Sequence, residues 1–224
     1  SGRLARVQRL QTDVQTAIRI NDGCCHPDGA FWFGTMDLEE RRPVGDFYRL
    51  GPDGACERLA VSFTITNGPA FSPAGDVGYF VDTVGRRILR SAMRDGKPAG
   101  FDLFAQIPEG DGFPDGLAVD AEGGVWCSHW GGARVTRFDT QARITDIVRL
   151  PVENVTKCAF GGKHLDRLFI TTARKGLDER ALAAQPLAGG LFEIALDHRG
   201  VLPTHYRGAA EPLGAFHTCV FETS

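Results

Sequence analysis

The amino-acid sequence predicts an all-β protein folded as a β-propeller, and three observations carry that expectation. Turn formers are abundant, with 28 glycines and 12 prolines among 224 residues, and helical periodicity is nearly absent. Such a chain reads as many short strands. One hairpin grammar recurs: an oxygen-bearing residue followed by glycine, a short apolar strand, a glycine-containing turn and a second strand. The turn glycines Gly29, Gly75 and Gly123 stand about 46 and 48 residues apart, the period of four-stranded propeller blades. A β-sandwich does not need the same residue at the same place in every unit.

The elements follow in order. Residues 3–10 and 14–20 read as two strands. The first unit begins at Asn21-Asp22-Gly23, continues through 24–27, turns at Asp28-Gly29 and returns as a strand over 30–35. A charged loop at 37–42 leads to a strand at 47–50, closed by Pro52-Asp53-Gly54. The second unit has Thr66-Asn67-Gly68, a turn at 72–75, and strands at 77–82 and 87–91. The third, GFPDGLAVDAEGGVWCSHW at 112–130, has a turn at Pro114-Asp115-Gly116, strands at 117–119 and 125–128, and a continuation over 133–139. The fourth is looser, with strands at 154–160, 167–172 and 190–194. Its insertion at 173–188 contains Leu177 to Leu182, which suits one or two helical turns, or a loop over one face. These units make one domain over 1–208, with 209–224 an unassigned tail.

Composition narrows the class. The net charge of −3 argues against a nucleic-acid partner. No apolar run reaches the roughly 18 residues of a membrane span, and SGRLARVQRLQTDVQ lacks the apolar core of a signal peptide. Six cysteines are present, none spaced as C-x-x-C, so reduced core thiols in a cytoplasmic protein are expected.

In a propeller, corresponding positions of successive blades lie at one height around the axis. Asn21 with Asp22, then Asn67, then Asp115 precede the inner hairpin strand in the same register, each turn carrying a glycine. They are expected to converge on the mouth of the central channel. Oxygen ligands from separate blades suit a hard divalent cation, Ca²⁺ above all, with Mn²⁺, Zn²⁺ or Fe²⁺ as alternatives. Asp28, Asp53 and Asp95, each also followed by glycine, read as ordinary turns.

Several motifs together resemble the SMP-30/gluconolactonase/regucalcin-like family. They are Arg19-Ile20-Asn21-Asp22-Gly23, Gly34-Thr35-Met36, Thr66-Asn67-Gly68, the run from Pro114 to Gly123, Gly131-Gly132-Ala133-Arg134-Val135 and Ala188-Gly189-Gly190-Leu191-Phe192. The resemblance implies a six-bladed propeller, of which about four and a half blades are visible here, with one catalytic divalent metal at the axis. It implies hydrolysis of a sugar lactone, with Asn67 and Asp115 as metal ligands and Arg19, Asn21 and Glu39 as substrate contacts. His129, in Ser128-His129-Trp130, resembles a pocket residue of bacterial members, and a buried strand histidine is the other reading. The family's G-E-x-P-x-W type motif, whose Glu is a further ligand, has no match in this sequence.

The chemistry implied is metal-assisted attack of water on a lactone carbonyl, with Asp115 as general base. No G-x-S-x-G elbow is present, which disfavours a serine hydrolase. A non-sugar lactone or phosphotriester is a second substrate class, and a non-enzymatic Ca²⁺-binding propeller is a third reading.

Overall fold

Gly29, Gly75 and Gly123 each adopt a positive φ, of 90°, 75° and 83°, a backbone conformation glycine takes without a Cβ penalty. Each closes a hairpin at the same place in its unit. A computed structural model describes residues 17–209 and the short strand segments 5–6 and 211–212. The expected strand over 3–10 and most of that over 14–20 lie outside the described residues, apart from β1 (Ala5–Arg6) and the start of β2.

Four sheets follow in a propeller arrangement. The first blade is β2 (Ile18–Cys25), β3 (Phe31–Asp37), β4 (Gly45–Leu50) and β5 (Cys56–Phe63), hydrogen-bonded in that order. The second is β6 (Thr66–Phe71), β7 (Val77–Asp82), β8 (Arg87–Arg94), the short β9 (Lys97–Pro98) beside β8, and β10 (Asp102–Gln106). The third is β11 (Phe113–Val119), β12 (Val125–Trp130), β13 (Arg134–Phe138) and β14 (Ile144–Arg149). The fourth is β15 (Val155–Gly161), β16 (Arg167–Thr172) and β17 (Leu191–Ala195). All pair antiparallel, as a meander requires. The insertion between β16 and β17 forms one short helix, α1 (Glu179–Ala184), capped by the Asp178 carboxylate, which accepts from Ala181 N at 2.7 Å. Finally β18 (Glu211–Pro212) pairs with β1.

The blades are held face to face by apolar layers. Trp32, Phe47, Phe71 and Phe80 pack between the first and second. Tyr79, Val81, Ile88, Leu117 and Val125 pack between the second and third. Trp126, Val135, Cys158, Leu168 and Ile170 pack between the third and fourth. Cys127 and Cys158 are buried free thiols, as strand cysteines are expected to be.

Inner strands β2, β6, β11 and β15 lie side by side, β6 against β2 and β11, and β11 against β15. Each departs from regular register at one place: between Ile20 and Gly23, Asn67 and Ala70, Pro114 and Leu117, and Val155 and Lys157. The N-D-G, T-N-G and P-D-G motifs, expected to be turns ahead of the inner strands, are therefore bulges inside them. A bulge bends the strand and re-aims a side chain. Here it turns polar residues toward the axis while the rest of the strand keeps its apolar faces between blades.

Candidate active site

The four bulges surround a cavity of about 550 Å³. Asn21, Asp22, Asn67, Asp115, Thr156 and Lys157 line it from the bulges, and Arg19 lines it from the start of β2. Its mouth carries Glu40 and Lys175, which form an ion pair between the first and fourth blades. Met36, Ile65, Val84, Phe113 and Trp130 supply an apolar wall. The Arg86 guanidinium lies over the Phe113 ring, 3.9 Å from its centroid, and donates to Gly112 O at 2.6 Å.

Asn67 is buried, and its amide is held one way round. Thr83 Oγ1 donates to Pro114 O at 2.9 Å, so its lone pair is what accepts from Asn67 Nδ2, also at 2.9 Å. That leaves Asn67 Oδ1 as the atom offered to the cavity side, where it accepts from Asn21 Nδ2 at 3.1 Å. Asn21 Nδ2 also donates to Thr66 O at 2.9 Å. Thr83, not expected from sequence, thus sets the orientation of a candidate ligand.

Asp115 is half-buried, and burial pushes its carboxyl up to about 7, with the negative charge of Asp22 adding to the rise and Lys157 opposing it. Asp22 is multiply held: Oδ1 accepts from Gly23 N at 2.8 Å, and Oδ2 accepts from Gly68 N at 3.1 Å and from Lys157 Nζ at 2.6 Å. Burial works against the Lys157 ammonium, but Asp22 outweighs it, and the lysine pKa is raised.

The donor chemistry suits an oxygen-seeking cation at Asn67 and Asp115, one amide oxygen and one carboxylate from adjacent blades. Among the described residues, no cluster of three or more His, Cys, Asp or Glu side chains is arranged to hold a metal. A cation there would take two oxygens from the described residues and the rest of its shell from other oxygens.

Two expectations need correction. Glu39 does not line the cavity. It is exposed and lies 3.7 Å from Arg41, while Glu40 reaches the mouth. The chain leaves β3 at Asp37 and Glu40 takes a positive φ of 57°, which turns the loop so that the second carboxylate, not the first, faces inward. His129 does not line the cavity either. It sits on β12, one strand out from the axis and fully buried, with Nδ1 2.8 Å from Asp111 O. Burial pushes its imidazole down to about 4. Asn154 at the start of the fourth unit is also buried and donates to Lys175 O at 2.9 Å. The fourth-blade counterpart of Asn21, Asn67 and Asp115 is instead the bulge at Thr156 and Lys157, which carries no N-G or D-G signature.

The SMP-30/gluconolactonase/LRE-like region family matches residues 1–174. The chain belongs to this family. It is 40% identical over 212 residues to L-arabinolactonase of Azospirillum brasilense, covering 93% of this chain and 69% of that protein. It is 34% identical over 200 residues to regucalcin of Bos taurus, covering 85% and 67%. Among solved structures, a calcium-binding protein, regucalcin, from Agrobacterium tumefaciens superposes with a TM-score of 0.81 at 36% identity, covering 85% of this chain and 65% of that one. The chain thus spans about two thirds of the length of these relatives.

Proposed function

We propose that this member of the SMP-30/gluconolactonase family hydrolyses a sugar lactone to the open-chain sugar acid, using one divalent cation held by Asn67 and Asp115. The observation that supports it most is the meeting of the Asn67 amide oxygen and the Asp115 carboxylate at one cavity with Arg19 and Asn21. L-arabinolactonase, the 40% identical relative, bears the name of a sugar-lactone hydrolase. Ca²⁺ is the first choice of ion, because both donors are hard oxygens and a structural neighbour is titled a calcium-binding protein.

When bound, a divalent cation supplies Lewis-acid polarisation to a lactone carbonyl. Arg19 and Asn21 orient the substrate by hydrogen bonds to its hydroxyl and carbonyl oxygens. Glu40 at the mouth is placed to accept from a substrate hydroxyl, the role expected of Glu39 from sequence. Asp115 takes the proton of the attacking water and returns it to the ring oxygen as the C–O bond opens. A positioned carboxylate within reach of both the water and the ring oxygen is suited to both transfers.

The test is proton release from a panel of aldonolactones at neutral pH, after metal stripping and after adding back Ca²⁺, Mn²⁺, Zn²⁺ or Fe²⁺. Metal-restored hydrolysis of one sugar lactone is expected. Cation binding without turnover on any lactone would instead fit a non-enzymatic Ca²⁺-binding propeller. One observation favours a second substrate class. The apolar wall of Met36, Ile65, Val84, Phe113 and Trp130 suits a lactone with an apolar substituent, so alkyl-substituted lactones belong in the panel.

A further inference from the structure

Phe113 enters the cavity at the start of β11, and the segment that carries it is gripped from three sides. Arg134 pairs with the Asp111 carboxylate. His129 Nδ1 donates to Asp111 O at 2.8 Å. Arg86 donates to Gly112 O at 2.6 Å, and its guanidinium lies 3.9 Å from the Phe113 centroid. The backbone also fits closely against the turn after β12. A Cβ at Gly112 would lie 2.5 Å from Trp130 O and 2.6 Å from Gly132 N, and one at Gly132 would collide with Asp111 O. Glycine at both places permits that approach. Phe113 itself is only half-buried, so these contacts fix a ring that faces the cavity rather than one that fills a core.

The ring stands where a substrate ring would lie. Phe113 and Asp115 are two residues apart on β11, about 7 Å along a strand, and both line the cavity. That is the scale of one sugar ring with its carbonyl, so a lactone whose carbonyl sits at Asp115 has its ring carbons beside Phe113. Trp130, the cross-strand partner of Phe113, extends the same aromatic surface. Arg86 covers one face of the Phe113 ring and is not a lining residue, so the remaining face and edge meet the cavity. A sugar ring is polar at its hydroxyls and apolar at its C–H groups. The C–H groups of one ring face match an aromatic surface, whereas a hydroxyl turned toward that surface would lose water without gaining a partner.

We propose that Phe113 is a specificity-determining residue, the platform on which the C–H face of a hydroxylated lactone ring lies, and that Arg86 is a positioning residue that holds the platform in place. This rests on the reading of the cavity as a sugar-lactone site. Arg86 acts through two contacts, one on the ring and one on the carbonyl of the preceding residue. The ring therefore meets the substrate already oriented, and little freedom is lost on binding. The substrate class that follows is a ring lactone with one face of C–H groups.

The experiment uses the whole chain with Ca²⁺ present and glucono-δ-lactam as the probe, which keeps the hydroxylated ring and resists hydrolysis. Calorimetry measures lactam binding, and steady-state kinetics on aldonolactones run alongside. Phe113→Leu keeps an apolar side chain and removes the aromatic face. It is expected to weaken lactam binding and raise KM about three- to tenfold, the range for losing a stacked aromatic contact, with kcat retained because the contact holds substrate and transition state alike. Phe113→Tyr keeps the ring and is expected to keep both values. Arg86→Met is expected to raise KM in the same direction and to add nothing in combination with Phe113→Leu, because it acts through that ring. Wild-type lactam binding in folded Phe113→Leu overturns the platform, and additive losses in the double variant overturn the role of Arg86. Lactam binding by a wild type that hydrolyses no lactone overturns the hydrolase reading alone, and the same variants still decide the platform. A wild type that neither binds the lactam nor hydrolyses a lactone overturns both. Circular dichroism on each variant identifies loss of fold, in which case Phe113→Met gives the same readout with a more adaptable side chain.

Discussion

Asp115 is where the chemistry is most concentrated. Asp115→Asn keeps the shape of the side chain and removes its basicity. Turnover is expected to fall by about 10² to 10⁴, the usual span for losing a general base, in a variant that still unfolds cooperatively. Steady-state kinetics with a melting curve on the same sample checks this, and wild-type turnover would remove Asp115 from the mechanism. Thr83 has a quieter role. Its hydroxyl bridges Asn67 Nδ2 and Pro114 O, so Thr83→Val leaves two buried groups unpaired and frees the Asn67 amide to turn. A cost of about 1–3 kcal/mol in stability is expected for each stranded group, along with weaker Ca²⁺ binding, read by chemical denaturation and calorimetry.

At the scale of the strand, the bulges decide what faces the axis, and the blade turns hold the bulged strands in place. Asp120 shows how much one turn can rest on a single carboxylate. It is fully buried and accepts from Glu122 N, Gly124 N, Trp126 Nε1 and Arg137 Nε at 2.7–3.0 Å. Asp120→Ala removes the acceptor of three N–H groups and of Arg137 Nε, while the rest of that guanidinium keeps Thr145 and Glu122, and about 1–3 kcal/mol of destabilisation is expected for each buried group left unpaired, measurable by urea unfolding. Much of this was legible in sequence. Glycine spacing marked the hairpins, and the apolar strands between them marked the blade faces. Asn21, Asn67 and Asp115 were legible because the N-D-G, N-G and D-G runs stand out. Lys157 was not, because its bulge is made by Thr156 in an otherwise ordinary strand, and a bulge without glycine has no local signature. Glu39 against Glu40 was a question of where β3 ends, and one residue of strand length changes which carboxylate turns inward. His129 carried two readings for a related reason, and the structure shows the buried strand histidine: a histidine in an apolar strand reads the same whether it faces a channel or a neighbouring blade.

Across the whole molecule, the protonation of distant groups sums into one pH profile of stability, and three shifts give it a distinctive shape. His129 is pushed down to about 4 by burial, against about 6.5 in an unfolded chain. As pH falls from 6.5 to 4, the unfolded state binds a proton that the folded state refuses, so stability falls. Asp115 in the cation-free protein is pushed up to about 7, against about 3.9 unfolded. Over nearly the same window the folded state binds the extra proton, so stability rises as pH falls. The two slopes oppose each other, and cation-free wild type is expected to be nearly flat between about pH 6.5 and 4. Below that, Asp37 contributes beside Asp28 and Asp139, which are also held below the usual carboxylate range. Hydrogen bonds from Arg42 and the Arg41 amide hold Asp37 down to about 2, so its contribution, present above about pH 4, is lost as pH falls toward 2. Asp115→Asn removes one of the two opposing slopes and should convert the flat region into a decline of about one proton's slope toward acid. His129→Gln should convert it into a rise. Urea midpoints at half-unit pH steps distinguish the three profiles. Parallel profiles for wild type and Asp115→Asn would show that Asp115 titrates as an ordinary carboxylate and that the cavity does not hold it near neutrality.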